Sequence, residues 1–177
     1  MPNHLARTIA LAAVLGGAAT LATAQPLPSD HVIVPGARIG NADLAPADQG
    51  ALQRNLGEPD QTDQRGDTAT YRYGAPKDDG GAPDELVVIL NLDTDAPFEI
   101  ATASPAYRTR QGIGVGSSDA AIRAALGPPL CAGDDGKSNG LIVYDTIWFR
   151  TVRGAVTRVA IRAHLSADDF HSGSVHC

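Results

Sequence analysis

The residues of this sequence that best suit a binding function lie in its last predicted hairpin. Tyr144 and Trp148 fall in the first strand of that hairpin, and Arg158 and Arg162 fall in the second. Tyrosine, tryptophan and arginine are enriched among the residues that carry binding energy at protein interfaces. The four residues therefore predict a partner-binding surface. The alternative is a purely structural stack of arginine on aromatic rings, worth about 0.5 to 1 kcal/mol per contact.

The turn of this hairpin decides which side chains share a face. Two predicted strands, 141–151 and 156–165, flank Val152, Arg153 and Gly154. A two-residue turn of Arg153 and Gly154 would force a positive φ on Arg153, which is costly for a residue with a Cβ. We therefore expect a three-residue loop in which Gly154 alone is left-handed. The other register would turn the opposite face outward.

The expected register pairs Trp148 with Arg158 and Tyr144 with Arg162 on one exposed face. The opposite face is then expected to join the core through Val143, Ile147, Phe149, Val159, Ile161 and Ala163, with Asp145 as a misfit among them. Tyr71 and Tyr73, in a predicted strand of the first half, are expected to extend the exposed face.

Catalytic and nucleotide-binding patterns are weak in this sequence. Ser117 and Ser118 lack the G-x-S-x-G pattern, and helix capping already explains them. A triad of one of these serines with His164 and a distant aspartate is unspecific, because any chain with several histidines permits one. The glycines of 112–116, GIGVG, do not have the G-x-G-x-x-G spacing of a dinucleotide loop. We therefore predict no catalytic residue and no cofactor.

Metal-ligand patterns are also incomplete. The C-terminal stretch 164–177 holds His164, His171, His176, Asp168 and Asp169, but no i, i+4 pair of histidines or C-x-x-C spacing fixes two ligands together. The loop that ends at Gly140 has a lysine, Lys137, where a calcium loop needs an oxygen ligand. We therefore predict no metal site.

The elements that must position these residues include two similar helices. In the stretch 117–129, Ser117 or Ser118 can cap the first turn, Ile122 and Leu126 lie on one apolar face, and Gly127 can end the helix. The same pattern occurs earlier, where Leu52, Leu56, Gly57 and Pro59 follow Pro46 and Asp48. Strands are expected near 70–73, 85–92 and 98–103. The recurrence predicts a tandem repeat.

The beginning of the chain predicts export. Residues 1–24 combine Arg7, an apolar run and the small-x-small ending Ala22-Thr23-Ala24, which is typical of a secretory signal. We expect a periplasmic or secreted protein without a membrane span. The full sequence has a formal net charge of −6, which opposes general binding to nucleic acid or anionic lipid and favours a basic protein or peptide.

The cysteine count fits an oxidising compartment. Cys131 and Cys177 are the two cysteines of the chain, and an exported protein with an even count favours one disulfide. The chain-entropy model gives such a bridge a value of roughly 4 kcal/mol. Free thiols or an intermolecular bridge are the alternatives.

The second half resembles a known family. Its motif G-S-S-D-x-x-I-x-x-x-L-G-x-P, followed by a Tyr-bearing strand and a hairpin with R-G at its turn, is similar to the module of the BamE/SmpA outer-membrane assembly lipoproteins. Two such modules in tandem look like β-lactamase inhibitor proteins, in which a concave sheet grips the partner and helices cover its back. The resemblance covers 112–164, and 38–103 more loosely. The lipidated cysteine of the assembly proteins is missing, and no partner-binding residue is carried over.

These observations predict an α+β protein of two tandem α-β-β-β modules, with helices packed on one face of an antiparallel sheet. The expected divisions are a signal peptide at 1–24, an extended lead-in at 25–36, modules at 37–105 and 106–165, and a tail at 166–177. The expected function is non-enzymatic binding of a protein or peptide of the cell envelope through the exposed sheet face. The alternative is a secreted inhibitor of a hydrolase.

Overall fold

A computed structural model of the chain describes residues 30–44, 48–74, 86–134 and 138–165. The predicted signal sequence and the predicted tail lie outside these residues. The two helices are α1 (Gln49–Leu56) and α2 (Asp119–Leu126). The strands are β1 (Val32–Val34), β2 (Arg38–Ile39), β3 (Ala42–Asp43), β4 (Gln61–Arg65), β5 (Thr68–Tyr73), β6 (Leu86–Asn91), β7 (Ala96–Thr102), β8 (Arg108–Thr109), β9 (Cys131–Asp134), β10 (Asn139–Val143), β11 (Ile147–Val152) and β12 (Ala155–Ile161).

The strands form one large and one small sheet. The large sheet has eight strands in the order β4-β5-β6-β7-β12-β11-β10-β9, and every neighbouring pair is antiparallel. Along the chain, α1 precedes β4 to β7 and α2 precedes β9 to β12, and the two halves meet where β7 pairs with β12. The small sheet has the order β3-β2-β1-β8.

The predicted α+β class is wrong, because the protein is a β-rich fold. Within the described residues the helices have only eight residues each, whereas twelve strands build two sheets. The edge strands β4 and β9 lack the apolar alternation that predicts a strand, and every residue of β4 is exposed. The predicted lead-in contains β1, which pairs in parallel with β8. The α-β-β-β pattern omitted β4 and β9, whose pairing depends on backbone hydrogen bonds rather than on an apolar face. It also omitted β1, although Ile33 of that strand is buried.

The predicted start of α2 and the predicted ends of both helices are confirmed, whereas α1 begins after Asp48, which caps the helix instead of lying in its first turn. Pro46, predicted for that first turn, lies outside the described residues. The Ser118 hydroxyl accepts a hydrogen bond from the Ala121 amide at 3.2 Å, and the Asp48 carboxylate accepts one from the Ala51 amide at 2.6 Å. Gly57 and Gly127 end the two helices with φ of +82° and +79°, a region in which only glycine is free of strain.

The main core lies between one face of the large sheet and a layer made by the helices and the small sheet. Leu52 of α1, Ile122 of α2 and Ile33 of β1 are each at most 1% exposed and belong to one buried cluster. The large sheet contributes the row Tyr71, Val88, Ile100, Ile161 and Ile147, which are directly opposite one another on successive strands. This face of the large sheet is therefore covered by the helices and the small sheet. The opposite face carries the side chains that alternate with this row along each strand.

The hairpin turn differs from the prediction. Arg153 and Gly154 both have positive φ, +52° and +75°, and Val152 pairs with Ala155, so the loop has two residues. The expected three-residue loop is therefore wrong. Positive φ at both loop residues is the pattern of a type I′ turn, whose twist matches the right-handed twist of the flanking strands. The Arg153 amide also donates to the Ser138 carbonyl at 2.7 Å, which helps to offset the strain at that residue.

The register of β11 and β12 differs from the expected one by two residues, since Trp148 lies opposite residue 160 instead of residue 158. A bulge separates Arg150 from Thr151, and beyond it Trp148 pairs with Ala160 and Arg150 pairs with Arg158. Because side chains alternate with a period of two, Trp148 and Arg158 still share a face. The predicted direct pairing of Trp148 with Arg158 is wrong.

The predicted strand 141–151 is interrupted by a turn, which changes the face of its first residues. β10 ends at Val143 and β11 begins at Ile147. Val143 is opposite Trp148, on the side away from the main core, whereas Ile142 takes the predicted core position opposite Phe149. Asp145 lies in the turn, exposed, and therefore does not point at the core. Ala163 is exposed as well, beyond the end of β12.

Candidate functional site

The face of the large sheet away from the helices carries a continuous row of side chains. In order across seven strands, this outer row contains Arg72, Val87, Ala101, Ala160, Trp148, Val143 and Cys131. Residues directly opposite each other on neighbouring strands point to the same side of a sheet. Trp148 therefore lies beside small apolar residues on one side and near the cysteine on the other.

Trp148 connects two apolar clusters on this face. Val87, Ala101 and Ala160 are at most 2% exposed, and Trp148 packs against that cluster together with Ile89. Trp148 also packs against the cluster formed by Leu141, Val143 and Leu165. The indole is half-buried, so part of the ring is held in place while part remains accessible.

Two arginines border Trp148. Arg150 follows it by two residues on β11 and is exposed, and Arg158 on β12 is half-buried directly opposite Arg150. Among the described residues, no carboxylate forms an ion pair with either guanidinium. Like charges directly opposite each other on a sheet repel. We call Trp148, Arg150 and Arg158 the Trp–Arg patch.

Arg162 has a different environment from the one predicted for it. Its Nε donates to Glu99 Oε2 at 2.7 Å, and the Glu99 carboxylate is almost fully buried, at 5% exposure for the residue. The guanidinium also lies over the ring of Phe98, 5.7 Å from its centroid. Arg162 therefore neutralises a buried acid across the β7–β12 junction and does not stack on Tyr144.

Three of the six residues predicted for the exposed face lie on the opposite side. Tyr71 and Tyr73 are each 7% exposed and belong to the main core. Tyr144 is in the turn before β11, where its hydroxyl donates to the Gly127 carbonyl at 2.9 Å and its ring meets Phe149 edge-on at 6.2 Å. The expectation of a common face is therefore wrong for these three tyrosines. Tyr71 and Tyr73 lie on the core face of β5, opposite buried residues of β6, and the turn before β11 directs Tyr144 towards the end of α2.

Burial changes the ionisation of these tyrosines. Burial raises the pKa of Tyr73 to about 12, and within the described part of the chain the Tyr73 hydroxyl has no hydrogen-bond partner. The pKa values of Tyr71 and Tyr144 are also raised, chiefly by burial. A buried phenol resists ionisation because the charged form loses its hydration.

Sequence reasoning missed Arg150. The segment Trp148-Phe149-Arg150 is a strand with alternating faces, so Arg150 must share a face with Trp148 once Phe149 faces the core. That alternation was present in the sequence and could have identified the residue.

Cys131, at the end of the outer row, is disulfide-bonded, and no free thiol is found among the described residues. Its predicted partner, Cys177, lies outside the described residues. The pairing of the two cysteines therefore stays a prediction.

A polar cleft lies on the other side of the second half. It has a volume of about 440 Å³ and is lined by α2 and by strands β9 to β11, with Asp119, Arg123, Thr151 and Arg153 among its side chains. One carboxylate oxygen of Asp119 is buried and has no hydrogen-bond partner among the residues that the structure describes. The mixture of positive and negative groups suits a small polar or zwitterionic molecule and selects no single charge.

The residues considered for catalysis have local roles. Ser118 caps α2, as predicted, and the Ser117 hydroxyl accepts a hydrogen bond from the Gly114 amide at 3.1 Å. His164 Nδ1 lies 2.7 Å from Asp145 Oδ1 on the surface. Within the described ranges, no group of three or more His, Cys, Asp or Glu residues could hold a metal ion. The other candidates, His171, His176, Asp168 and Asp169, are outside those ranges.

Comparison with known proteins gives little similarity. No protein-family model and no curated protein matches the chain. One solved structure, a 1.5 Å crystal structure of an extracellular protein containing an SCP domain from Bacillus anthracis, is similar with a TM-score of 0.46 and 9% identity. The match covers 65% of this chain and 42% of that chain, so it spans less than half of that protein. A similarity of this size supports no statement about function, and the resemblance to BamE/SmpA modules stays a prediction.

No helix of the described residues is long and apolar enough to cross a membrane.

Proposed function

We propose that this protein is an exported, non-enzymatic binding protein that holds an acidic segment of a protein or peptide partner against the Trp–Arg patch. The observation that carries the proposal is the directly opposed pair Arg150 and Arg158, which has no carboxylate partner among the described residues. A carboxylate between the two guanidiniums would replace their repulsion with charge-assisted hydrogen bonds.

The half-buried ring of Trp148 supports the same role. It offers apolar surface beside the two cations, and clusters of tryptophan and arginine are frequent among residues that dominate interface energetics. A partner segment with acidic and aromatic side chains would match both features of the patch.

The charge of the patch revises the expected partner. The formal net charge of −6 favours a basic partner when the protein is treated as a whole. Screening limits the range of exposed charges to about 8 Å at physiological salt, so the groups at the contact decide the local preference. Because Arg150 and Arg158 are both positive, an acidic partner is the better match.

Two observations support export. Residues 1–24 have the composition of a secretory signal, and Cys131 is disulfide-bonded. Disulfides persist in oxidising compartments such as the periplasm or the extracellular space. The periplasm is our proposal for the site of action.

A peptide selection tests the function without knowledge of the natural partner. A random peptide library displayed on phage would be selected against immobilised residues 25–177, and we expect enrichment of acidic peptides that contain an aromatic residue. The affinity of the selected peptides should fall about ten-fold or more in the double variant Arg150→Ala, Arg158→Ala. It should be unchanged in the matched control Arg54→Ala, which removes an exposed arginine from the last turn of α1. Enrichment of neutral or basic peptides, or equal binding to the double variant, would overturn the proposal.

A further inference from the structure

We infer that the polar cleft between α2 and the edge strands β9 to β11 is a second binding site, which takes a free acidic amino acid of the glutamate or aspartate class. The inference does not rest on the proposed function, because no residue of the Trp–Arg patch lines the cleft. Its supports are the shape of the cleft, the fixed backbone of its walls and the charges that face it.

The floor of the cleft is open because the row of core-facing side chains is interrupted at Gly140. Ile142 of β10 is in the main core, so Gly140, two residues before it, is on the same face of the strand. Asp134 and Thr151 lie directly opposite Gly140 on the two neighbouring strands. A Cβ at Gly140 would be 2.5 Å from the Thr151 Oγ1, so only glycine fits beside that hydroxyl. The volume of the cleft, about 440 Å³, is within the range of about 300 to 1,000 Å³ that is typical of small-molecule sites.

The walls of the cleft are held in place by backbone hydrogen bonds. The Asp119 amide, at the first residue of α2, donates to the Gly154 carbonyl at 3.2 Å and joins the helix to the hairpin turn. The Arg153 amide donates to the Ser138 carbonyl at 2.7 Å and joins the same turn to the residue before β10. The cleft is therefore formed before a ligand enters, which lowers the entropic cost of binding.

Three charged side chains of the cleft have no counter-ion among the described residues. Asp119 and Arg123 are four residues apart on α2 and share one face of the helix, and Arg153 lines the cleft from the hairpin turn. None of the ion pairs in the described part of the chain includes any of the three. One oxygen of the Asp119 carboxylate is buried and accepts no hydrogen bond from the described residues, so the group has lost hydration without gaining a donor. A cation at this carboxylate would offset the loss.

The charges of the cleft determine the charges of its ligand. The carboxylate of Asp119 needs one cation, and the guanidiniums of Arg123 and Arg153 can each bind a carboxylate through two parallel hydrogen bonds. An acidic amino acid supplies one ammonium group and two carboxylates, which is the full complement. A neutral amino acid would leave one arginine without a partner, and a simple dicarboxylate would leave Asp119 without one.

The helix dipole explains only part of this arrangement. It favours Asp119 in the first turn of α2 and Arg123 in the last turn, whether or not a ligand binds. Arg153 lies outside the helix and has a left-handed backbone with φ of +52°, a conformation in which glycine or asparagine costs less. A contact between the guanidinium and a ligand gives a reason for an arginine at this position.

Calorimetric titration of residues 25–177 with L-glutamate and L-aspartate tests the site. We expect saturable binding of at least one of them, with an affinity about ten-fold or more above that of its amide, L-glutamine or L-asparagine, which lacks the second charge. The dicarboxylate of the same length, glutarate or succinate, lacks the ammonium group and should be weaker by a similar factor of about ten.

Variants of the three charged residues assign the binding to the cleft. Arg153→Asn removes the charge and keeps a residue that tolerates the left-handed backbone, and Arg123→Gln changes an exposed residue of α2. Each should weaken the binding of the acidic amino acid about ten-fold or more, with an unchanged circular dichroism spectrum. Asp119→Asn should remove the preference for the amino acid over the dicarboxylate. The matched control Arg110→Ala removes an exposed arginine that does not line the cleft and should keep the wild-type affinity.

The absence of saturable binding for both acidic amino acids would overturn the inference. Equal affinity for the amides and the dicarboxylates, or wild-type affinity in both arginine variants, would overturn it as well.

The double variant Arg150→Ala, Arg158→Ala separates this site from the proposed function, because it should bind the acidic amino acid as tightly as the wild type. Loss of that binding in the double variant would move the amino acid to the Trp–Arg patch and overturn the inference. A protein that binds glutamate or aspartate in the cleft but binds no acidic peptide would keep this site and reject the proposed function.

Discussion

Arg150 and Arg158 lie directly opposite each other on antiparallel strands, and among the described residues no carboxylate pairs with either. Such a pair costs stability in the isolated protein, by about 0.2 to 1 kcal/mol for directly opposed like charges. Its presence beside a half-buried tryptophan is the reason for assigning this surface to a ligand.

The variant Arg150→Ala should separate stability from binding. Removing one charge relieves the repulsion, so the free energy of unfolding should be unchanged or higher by up to about 1 kcal/mol, while affinity for acidic peptides falls. Urea denaturation and peptide titration measure the two effects, with Arg54→Ala as the control. A loss of stability of more than about 1.5 kcal/mol would indicate a structural role for Arg150 instead.

The pair Arg162 and Glu99 should behave in the opposite way. The variant Arg162→Ala leaves the carboxylate of Glu99 buried and unpaired, so we expect a loss of about 2 to 4 kcal/mol, because an uncompensated buried charge is costly. The double variant Glu99→Gln, Arg162→Ala removes that charge and should recover part of the loss. Equal stability of Arg162→Ala and the wild type in urea would contradict the structural role assigned to this arginine.

Tyr73 should make the fold sensitive to alkaline pH. Its pKa is raised by burial to about 12, whereas a tyrosine in the unfolded chain titrates near 10. Between these two pH values the unfolded state binds fewer protons than the folded state. The contribution of Tyr73 to the free energy of unfolding is therefore fully present below pH 10 and is lost as the pH rises towards 12. The loss for a shift of this size is about 2 to 3 kcal/mol.

The variant Tyr73→Phe tests this assignment. It removes a buried hydroxyl for which the described residues offer no hydrogen-bond partner, so the free energy of unfolding at pH 7 should stay the same or increase by about 1 kcal/mol. The alkaline loss should become smaller, with a remainder from Tyr71 and Tyr144, whose pKa values are raised as well. Urea denaturation at pH 7 and pH 11 gives the comparison, and an identical alkaline loss in both proteins would refute the role of Tyr73.

Gly114 should not tolerate a side chain. A Cβ at this position would lie against the Tyr107 carbonyl oxygen and would be 2.8 Å from the Arg108 Cδ. The variant Gly114→Ala should therefore destabilise the protein by about 1 to 3 kcal/mol through overpacking. The control Ala124→Ser changes an exposed residue of α2 and should have little effect on the thermal midpoint. A wild-type midpoint for Gly114→Ala would show that the backbone can move apart there.

Local signals predicted the parts of the fold that depend on local chemistry. Helix α2 was predictable because Ser118, Asp119 and Gly127 mark its ends. Strands β5 to β7 were predictable from their apolar residues. Strands β4 and β9 could not be predicted in this way, because they consist mostly of polar or small residues and are held in place by backbone hydrogen bonds to β5 and β10.

The candidate site was predictable only in part, for a similar reason. Trp148 and Arg158 stay on the same face of the sheet when the strand register changes by an even number of residues. Their common face could therefore be predicted although the expected register was wrong. The position of Tyr144 was not predictable, because no glycine or proline marks the turn between β10 and β11. The twist of the strands and the hydrogen bond from the Arg153 amide to the Ser138 carbonyl together outweigh the cost of a positive φ at Arg153, so the turn has two residues.

The most direct test of the Trp–Arg patch is to titrate residues 25–177 with a selected acidic peptide and to measure binding through the fluorescence of Trp148. Our account predicts a saturable change whose affinity falls when salt is raised from about 0.05 to about 0.5 M, because screening weakens the contacts to Arg150 and Arg158. The change should be lost in the double variant Arg150→Ala, Arg158→Ala. A peptide that binds this variant as tightly as the wild type, or that binds without affecting Trp148, would contradict the account.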